Sequence, residues 1–253
     1  MHLRDTCYVQ VVPKTIISST PHSMSTSNIL LVTGRPGIGK TTLVSHVFEE
    51  LLKNGIQAVG FKTEEVRQFY SGKSTRFGFD VVLFDSSRTY PRASLARLIN
   101  HSSQQVQHQP RVGQYLVNIS SFESLAIPCL QSIINDLENV SSINNVRKDD
   151  LIICIIDEIG KMELCSSKFT YLIEKLISSI SNLPTNSQRD IKHPTVVLLA
   201  TVPSPKRQDG TRGIPLVDHI CSVKGASIIE IDLSNRNKII QEIMKRILKC
   251  KSS

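Results

Sequence analysis

The chain has 253 residues, of which 40% are hydrophobic and 21% charged. This length and balance suit a soluble globular protein with one sizeable core, so we expect a single domain. Every apolar run is shorter than the roughly 18 residues that cross a bilayer. The six cysteines and seven histidines show no metal-ligand spacing, which argues against a zinc site and for free thiols. The composition excludes a membrane-spanning protein and favours a reducing compartment, the cytoplasm or the nucleus.

The formal net charge is +8, with 30 basic against 22 acidic residues. This excess would suit an anionic partner, which could be a nucleotide, a nucleic acid or a membrane surface. The basic residues are scattered along the chain, so we expect neither nucleic acid nor membrane as a partner. The last predicted helix carries four of them, which we interpret as a solvated outer face: Lys238, Lys245, Arg246 and Lys249.

Residues 1–27 are rich in serine and threonine and precede the first predicted strand. We interpret them as a disordered extension, because an arginine-rich amphipathic face is missing. An organelle-targeting segment is the alternative.

The first half of the chain predicts a strand, a glycine loop, a helix and a hairpin. Residues 28–34 form an apolar run that ends in glycine, and residues 40–55 carry leucine and valine at helical spacing before Gly55. Residues 56–85 alternate and are broken at "SGKS", which predicts two strands or a hairpin. The polar stretch 86–110 shows little periodicity and predicts no element.

The second half alternates strands with helices. It predicts strands over 111–120, 151–157, 194–202 and 227–233, and helices over 122–140, 168–183, 214–223 and 235–249, with polar loops over 141–150 and 184–193. The run "LIICIID" at 151–157 is apolar throughout, as in a strand buried on both faces. The alternation predicts an α/β fold with a mainly parallel central sheet flanked by helices, plus a β-hairpin extension.

The clearest motif is "GRPGIGKT" at 34–41, which fits G-x-x-x-x-G-K-[ST] and lies between a predicted strand and helix. Its glycines let backbone N–H groups point at phosphate oxygens. Lys40 would contact the β- and γ-phosphates, Thr41 a bound Mg²⁺, and Thr42 the α-phosphate. The motif predicts a triphosphate site.

A triphosphate site needs a second acidic element to hold magnesium and orient a nucleophile. Asp157 and Glu158 end the buried strand, at the sheet edge where open α/β sheets bind ligands. We interpret Asp157 as the magnesium partner and Glu158 as the general base for an attacking water. Gly160 would leave room for that water. Lys161 and Glu163 could contact phosphate or form a salt-bridged loop end.

Seven blocks, in order from residue 28 to about residue 248, resemble the small P-loop nucleoside-triphosphatases of the cancer-related nucleoside-triphosphatase type: "TGRPGIGKTTL", "GFKTEEVR", "GFDVV", "RVGQYLVNISSFESLAIPCL", "IIDEIGKMEL", "TVPSPK" and "NRN". The resemblance implies one P-loop domain over 28–250 that slowly hydrolyses ATP, GTP and other nucleoside triphosphates to diphosphate and phosphate. We expect this domain to be a monomer.

The resemblance also implies a set of site residues. Lys40, Asp157 and Glu158 would be catalytic, and Thr41 and Asp157 would bind Mg²⁺. Two segments would bind the nucleotide: Gly34, Arg35, Pro36, Gly37, Ile38, Gly39, Lys40, Thr41 and Thr42, and Ile153, Cys154, Ile155, Ile156, Asp157, Glu158, Ile159 and Gly160.

An arginine that neutralises transition-state charge is not identified by the sequence. The candidates are Arg67, Arg111, Arg212 and Arg236, and turnover should be slow if none reaches the site. The guanine signature N-K-x-D is absent from the sequence, which favours loose base selectivity.

Two other functions remain open at this point. A nucleoside or nucleotide kinase would use the same phosphate loop, with Lys206, Arg207 and Arg212 in a closing lid. A nucleotide-gated nucleic-acid-binding protein would account for the charge of +8.

Overall fold

The computed structural model describes residues 27–70, 72–85, 87, 89–99, 109–138, 151–182 and 195–252. Most of the predicted extension 1–27, residues 100–108 of the polar stretch and the predicted loops 141–150 and 184–193 lie outside these residues. The described elements are β1 (Ile29–Thr33), α1 (Lys40–Lys53), β2 (Gln57–Tyr70), β3 (Lys73–Phe84), β4 (Arg92–Leu98), β5 (Arg111–Val112), β6 (Tyr115–Val117), α2 (Ile119–Glu138), β7 (Leu151–Asp157), α3 (Ser167–Ser181), β8 (Thr195–Thr201), α4 (Pro215–Ser222), β9 (Ala226–Glu230) and α5 (Ile239–Ser252).

The strands form one mixed sheet in the order β5-β6-β4-β3-β2-β7-β8-β1-β9. The run from β2 to β9 is parallel, and β3, β4, β6 and β5 add an antiparallel extension beyond β2. The predicted α/β fold, its mainly parallel sheet and its hairpin are therefore confirmed. Within the described part of the chain, no helix is long and apolar enough to cross a bilayer.

The central strands are buried on both faces, as the continuous apolar runs predict. In β7, Ile153 and Ile155 face the layer formed by α1 and α5, whereas Ile152, Cys154 and Ile156 face the layer that contains α2, α3 and α4. All seven residues of β7 are buried. The acid that ends β7 is therefore held in a fixed position at the edge of the sheet.

An aromatic cluster packs under this edge. The rings of Phe61, Phe122 and Phe169, from β2, α2 and α3, have centroids 5.2 to 6.0 Å apart. Phe61 is followed by Lys62, the register partner of Asp157 across the β2–β7 ladder. The cluster fixes the strand that borders the acidic end of β7.

The sequence prediction is wrong at two places in the antiparallel extension. Strand β4 lies in the polar stretch that predicted no element, because it pairs with β3 and its Arg97 bonds to Asp80 and to the Phe79 carbonyl instead of facing solvent. The strand predicted over 111–120 is a short hairpin, β5–β6, that turns at Gly113, and its last residues begin α2.

Candidate active site

The phosphate loop connects the buried strand β1 to helix α1. Gly34 lies so close to the end of β9 that a Cβ atom there would be 2.6 Å from the Ile231 carbonyl oxygen. Gly37 and Gly39 have φ angles of 75° and 106°, in the left-handed region that favours glycine. Gly39 directly precedes the helix, and its carbonyl accepts the bond from Leu43 N–H at 2.9 Å. The loop therefore leads its backbone directly into the helix N-terminus, the arrangement that binds phosphate.

The residues of the phosphate loop differ in their exposure to solvent. Arg35, Pro36 and Gly37 are exposed, and Ile38 and Lys40 are half-buried. The Lys40 ammonium donates a hydrogen bond to the Gly34 carbonyl at 3.0 Å, so its side chain folds back across the loop.

The first turn of α1 continues the site. Thr41 is half-buried and Thr42 is exposed. The hydroxyl of Thr41 lies within hydrogen-bonding reach of the Asp157 carboxylate. The structure thus brings the phosphate loop and the acid at the end of β7 together, although more than a hundred residues separate them in the chain.

Asp157 is 2% exposed, and Thr201 at the end of β8 donates a hydrogen bond to its Oδ1. Burial raises the pKa of Asp157, and the hydrogen bonds from Thr201 and Thr41 and the charge of Lys40 oppose that rise. Its Oδ2 is buried and has no protein partner among the described residues. A buried carboxylate oxygen without a partner is costly, so it fits a ligand that carries positive charge.

These residues fit magnesium bound together with a triphosphate. Magnesium keeps several waters and needs only one or two protein oxygens beside phosphate oxygens. The Thr41 hydroxyl and Asp157 Oδ2 are such oxygens. Within the described residues, no three histidine, cysteine, aspartate or glutamate side chains could hold a metal ion by themselves.

Glu158 is half-buried, and its carboxyl group lies beside Gly160. The next residue, Ile159, donates its N–H to the Thr201 carbonyl at 2.9 Å, so the chain turns over the end of β8. Burial raises the pKa of Glu158 and the charge of Asp157 raises it further, whereas Lys40 and Lys206 act in the opposite direction. The two adjacent acids therefore occupy different electrostatic surroundings.

Gly160 lies between two carboxyl groups. A Cβ atom on it would be 2.7 Å from Glu158 Oε1 and 3.0 Å from Glu163 Oε2. The missing side chain makes room for these groups, and the predicted role of Gly160, space for an attacking water, stays a prediction. Glu163 is 3% exposed, whereas Lys161 is exposed to solvent.

Three of the four candidate arginines are engaged elsewhere. Arg67 bonds to Glu65 and Ser74 on the antiparallel extension, and Arg111 bonds to the Gly113 carbonyl. Arg212 is buried, and its Nε donates to the Pro203 carbonyl at 2.7 Å.

The fourth, Arg236, is exposed in the turn that follows β9, close in sequence to the strand end that packs on Gly34. Among lysines, Lys206 has an electrostatic effect on Glu158. The sequence pattern indicates this lysine only as part of a kinase lid.

Sequence reasoning missed two polar neighbours of the acids. Thr201 ends an apolar run on the strand beside β7, so the rule that parallel strands end at one edge could have identified it. Thr63 bonds to Glu163 at 3.3 Å. This contact depends on the β2–β7 register, for which the sequence offers no signal.

The comparisons with known proteins agree with this geometry. A family model described as NTPase matches residues 29–244. Cancer-related nucleoside-triphosphatase homolog from Mus musculus is 34% identical over 220 residues, which are 86% of this chain and 95% of that protein. Nucleoside-triphosphatase THEP1 from Aquifex aeolicus is 34% identical over 216 residues, 85% of this chain and 96% of that protein.

The solved crystal structure of THEP1 from Aquifex aeolicus has the same fold, with a TM-score of 0.59 and 32% identity over 86% of this chain and 98% of that chain. The predicted resemblance to the small P-loop nucleoside-triphosphatases is confirmed. With a family match across most of its length and relatives covered almost completely, the chain belongs to the NTPase family of nucleoside-triphosphatases.

Proposed function

We propose that this protein is a Mg²⁺-dependent enzyme that hydrolyses ATP, GTP and other nucleoside triphosphates to diphosphate and phosphate. The observation that carries the proposal is the meeting of the phosphate loop with two acids at one sheet edge. Thr41 lies within hydrogen-bonding reach of Asp157, and the charge of Lys40 acts on both Asp157 and Glu158.

Binding would use the loop and the first turn of α1. Backbone N–H groups of residues 34–41, except Pro36, which has none, would bind phosphate oxygens, and Lys40 would exchange its bond to the Gly34 carbonyl for the β- and γ-phosphates. Thr42 would contact the α-phosphate. Thr41 and Asp157 would hold magnesium, which supplies a Lewis acid that neutralises charge on phosphate oxygens.

Glu158 would act as the general base. It would accept a proton from the water whose oxygen bonds to the γ-phosphorus, while the bond from that phosphorus to the β,γ-bridging oxygen breaks. The raised pKa of Glu158 makes it a stronger base near neutral pH than an ordinary glutamate. It directly follows the proposed metal partner Asp157 in the chain, which supports a place for it near the γ-phosphate.

Turnover should be slow. Lys40 and Lys206 are the cations that act on Glu158, and Arg67, Arg111 and Arg212 are engaged with other groups. P-loop enzymes turn over on the order of 10⁻⁴ per second without an arginine at the γ-phosphate and about 10⁻² per second with one on the same chain. The lack of an N-K-x-D signature in the sequence supports broad base specificity.

The kinase alternative is less favoured because its lid is partly fixed. Arg212 is buried, its backbone N–H donates to Asp218 Oδ1 at 2.7 Å, and its Nε donates to Pro203. A side chain held in this way cannot swing over an acceptor. Lys206 and Arg207 are exposed and remain available to a phosphate.

Phosphate release without an acceptor separates hydrolysis from kinase activity. The protein is incubated with ATP or GTP and Mg²⁺, and free phosphate is measured over hours, with Lys40→Ala prepared in parallel to exclude a contaminating phosphatase. Release by the wild type and not by the variant supports hydrolysis. ADP formed only after a nucleoside or monophosphate is added, without free phosphate, would show a kinase.

The nucleic-acid alternative has its own outcome in the same assay. A rate that rises steeply with added RNA or DNA and falls with salt would identify a nucleic-acid-gated protein. We further propose that residues 28–250 form one domain that acts as a monomer in the cytoplasm or nucleus.

A further inference from the structure

Glu163 is a buried acid outside the two predicted nucleotide-binding segments. It is 3% exposed and begins the short 3₁₀ turn Glu163–Cys165 after β7. The turn is held by Leu164 N–H on the Gly160 carbonyl at 3.1 Å and by Ser166 N–H on the Glu163 carbonyl at 3.0 Å. A carboxyl group this deeply buried requires polar partners.

One carboxyl oxygen of Glu163 is bound by the neighbouring strand. The Thr63 hydroxyl on β2 donates to Oε1 at 3.3 Å. Thr63 follows Lys62, whose register partner on β7 is Asp157. The carboxyl group is therefore anchored to the sheet edge on which the active-site acids stand.

The other oxygen approaches Gly160, as does the carboxyl group of Glu158. Glu163 Oε2 and Glu158 Oε1 both lie within 3.0 Å of the point that a Cβ of Gly160 would occupy. A methyl group there would collide with both carboxyl groups. The lack of a side chain at position 160 thus lets the carboxyl group of Glu163 come near the proposed general base.

Burial decides which of the two carries a proton, because Glu163 is 3% exposed whereas Glu158 is half-buried. Burial raises the pKa of Glu163 to about 8, and the negative charge of Glu158 adds to that rise. Two adjacent carboxyl groups in a buried site do not both ionise readily. At neutral pH Glu163 holds the proton and can donate it in a hydrogen bond to the Glu158 carboxylate.

From this geometry we infer that Glu163 is a positioning residue, which is anchored by Thr63 and holds the Glu158 carboxylate in place for the attacking water. This inference rests on the proposed function, because it needs Glu158 to be the base. Its effect is on proton transfer and not on phosphate binding, since the phosphate loop lies on other elements.

The test is a double-mutant cycle between positions 158 and 163. Turnover at saturating MgATP and affinity for a fluorescent ATP analogue are measured for the wild type, Glu163→Ala, Glu163→Gln, Glu158→Gln and the double variant Glu158→Gln with Glu163→Ala. Glu174→Ala, which removes an exposed glutamate on α3, is the matched control.

We expect Glu163→Ala to lower turnover about 10- to 100-fold with nucleotide affinity within about twofold, as for a displaced catalytic group. Glu163→Gln should recover most of the loss, because its amide can donate to Glu158 and accept from Thr63. In the Glu158→Gln background, Glu163→Ala should cause no further loss, since the residue it positions is already disabled.

The inference would be overturned if Glu163→Ala lowered turnover equally in the wild-type and Glu158→Gln backgrounds. It would also be overturned if Glu163→Gln were as slow as Glu163→Ala, or if the loss of turnover were matched by a loss of nucleotide affinity. If Glu163→Ala does not fold, Thr63→Val replaces it in the cycle, with the same expected non-additivity and a smaller loss. Failure of the proposed function is a separate result: the wild type would release no phosphate, or Glu158→Gln alone would match the wild type.

Discussion

Replacing Glu163 by glutamine should stabilise the protein progressively as the pH rises. The folded-state pKa of this buried acid is about 8, compared with an ordinary value of 4.5. Between these values the folded state binds a proton that the unfolded chain has released. The free energy of unfolding therefore falls as the pH rises. The stability contributed by the protonated Glu163 carboxyl group is fully present only below its unfolded-state pKa of 4.5. Glutamine has the same shape and does not titrate.

The size of the effect follows from the two pKa values. One pKa unit corresponds to about 1.4 kcal/mol. From about pH 6 to about pH 8.5, the free energy of unfolding of the wild type should fall by about 2.5 kcal/mol more than that of Glu163→Gln. At 3% exposure, solvent screening reduces this little.

Urea unfolding of both proteins, followed by circular dichroism at three pH values across this range, measures the difference directly. Titrating groups that do not interact with Glu163 cancel in the comparison, and Glu174→Gln on the exposed face of α3 is the control that should show no pH-dependent difference. If the difference between the wild type and Glu163→Gln stays constant with pH, Glu163 is already ionised at neutral pH and the reasoning fails.

Three further substitutions test the phosphate loop and the metal partner. Gly34→Ala should destabilise the protein by about 1–3 kcal/mol in urea unfolding, because its Cβ would lie 2.6 Å from the Ile231 carbonyl; unchanged stability would contradict the close approach. Lys40→Ala should weaken binding of a fluorescent ATP analogue by about 10- to 100-fold, since it removes a charged hydrogen bond, and wild-type affinity would show that Lys40 does not contact phosphate. Asp157→Asn should raise the Mg²⁺ concentration for half-maximal turnover by about tenfold, the loss of one charge contact, whereas an unchanged Mg²⁺ dependence would remove Asp157 from the metal site.

The parts of the fold that depend on local pattern could be predicted from the sequence. The motif at 34–41 predicts its own conformation, because glycine, lysine and threonine at that spacing between a strand and a helix are typical of a phosphate loop. The apolar run 151–157 predicts a strand buried on both faces, and the end of such a strand lies at the ligand edge of the sheet. These two facts bring Asp157 to the phosphate loop without a structure.

The features that depend on strand register could not be predicted. Strand β4 is polar in sequence because Arg97 pairs with Asp80 of the neighbouring strand, a partner that periodicity cannot reveal. The environment of Glu163 requires the register that places Thr63 beside it, and the approach of two carboxyl groups around Gly160. Arg212, an arginine-finger candidate in the sequence, is a buried anchor for the segment that follows β8.

The central claim is that Glu158 activates water at a phosphate loop completed by Asp157. Single-turnover release of phosphate from MgATP, with enzyme in excess, tests it in one measurement on the wild type and Glu158→Gln. We expect the variant to retain binding of the ATP analogue and to release phosphate at least about 100-fold more slowly, the range of general-base catalysis. Release at the wild-type rate would show that another group activates the water.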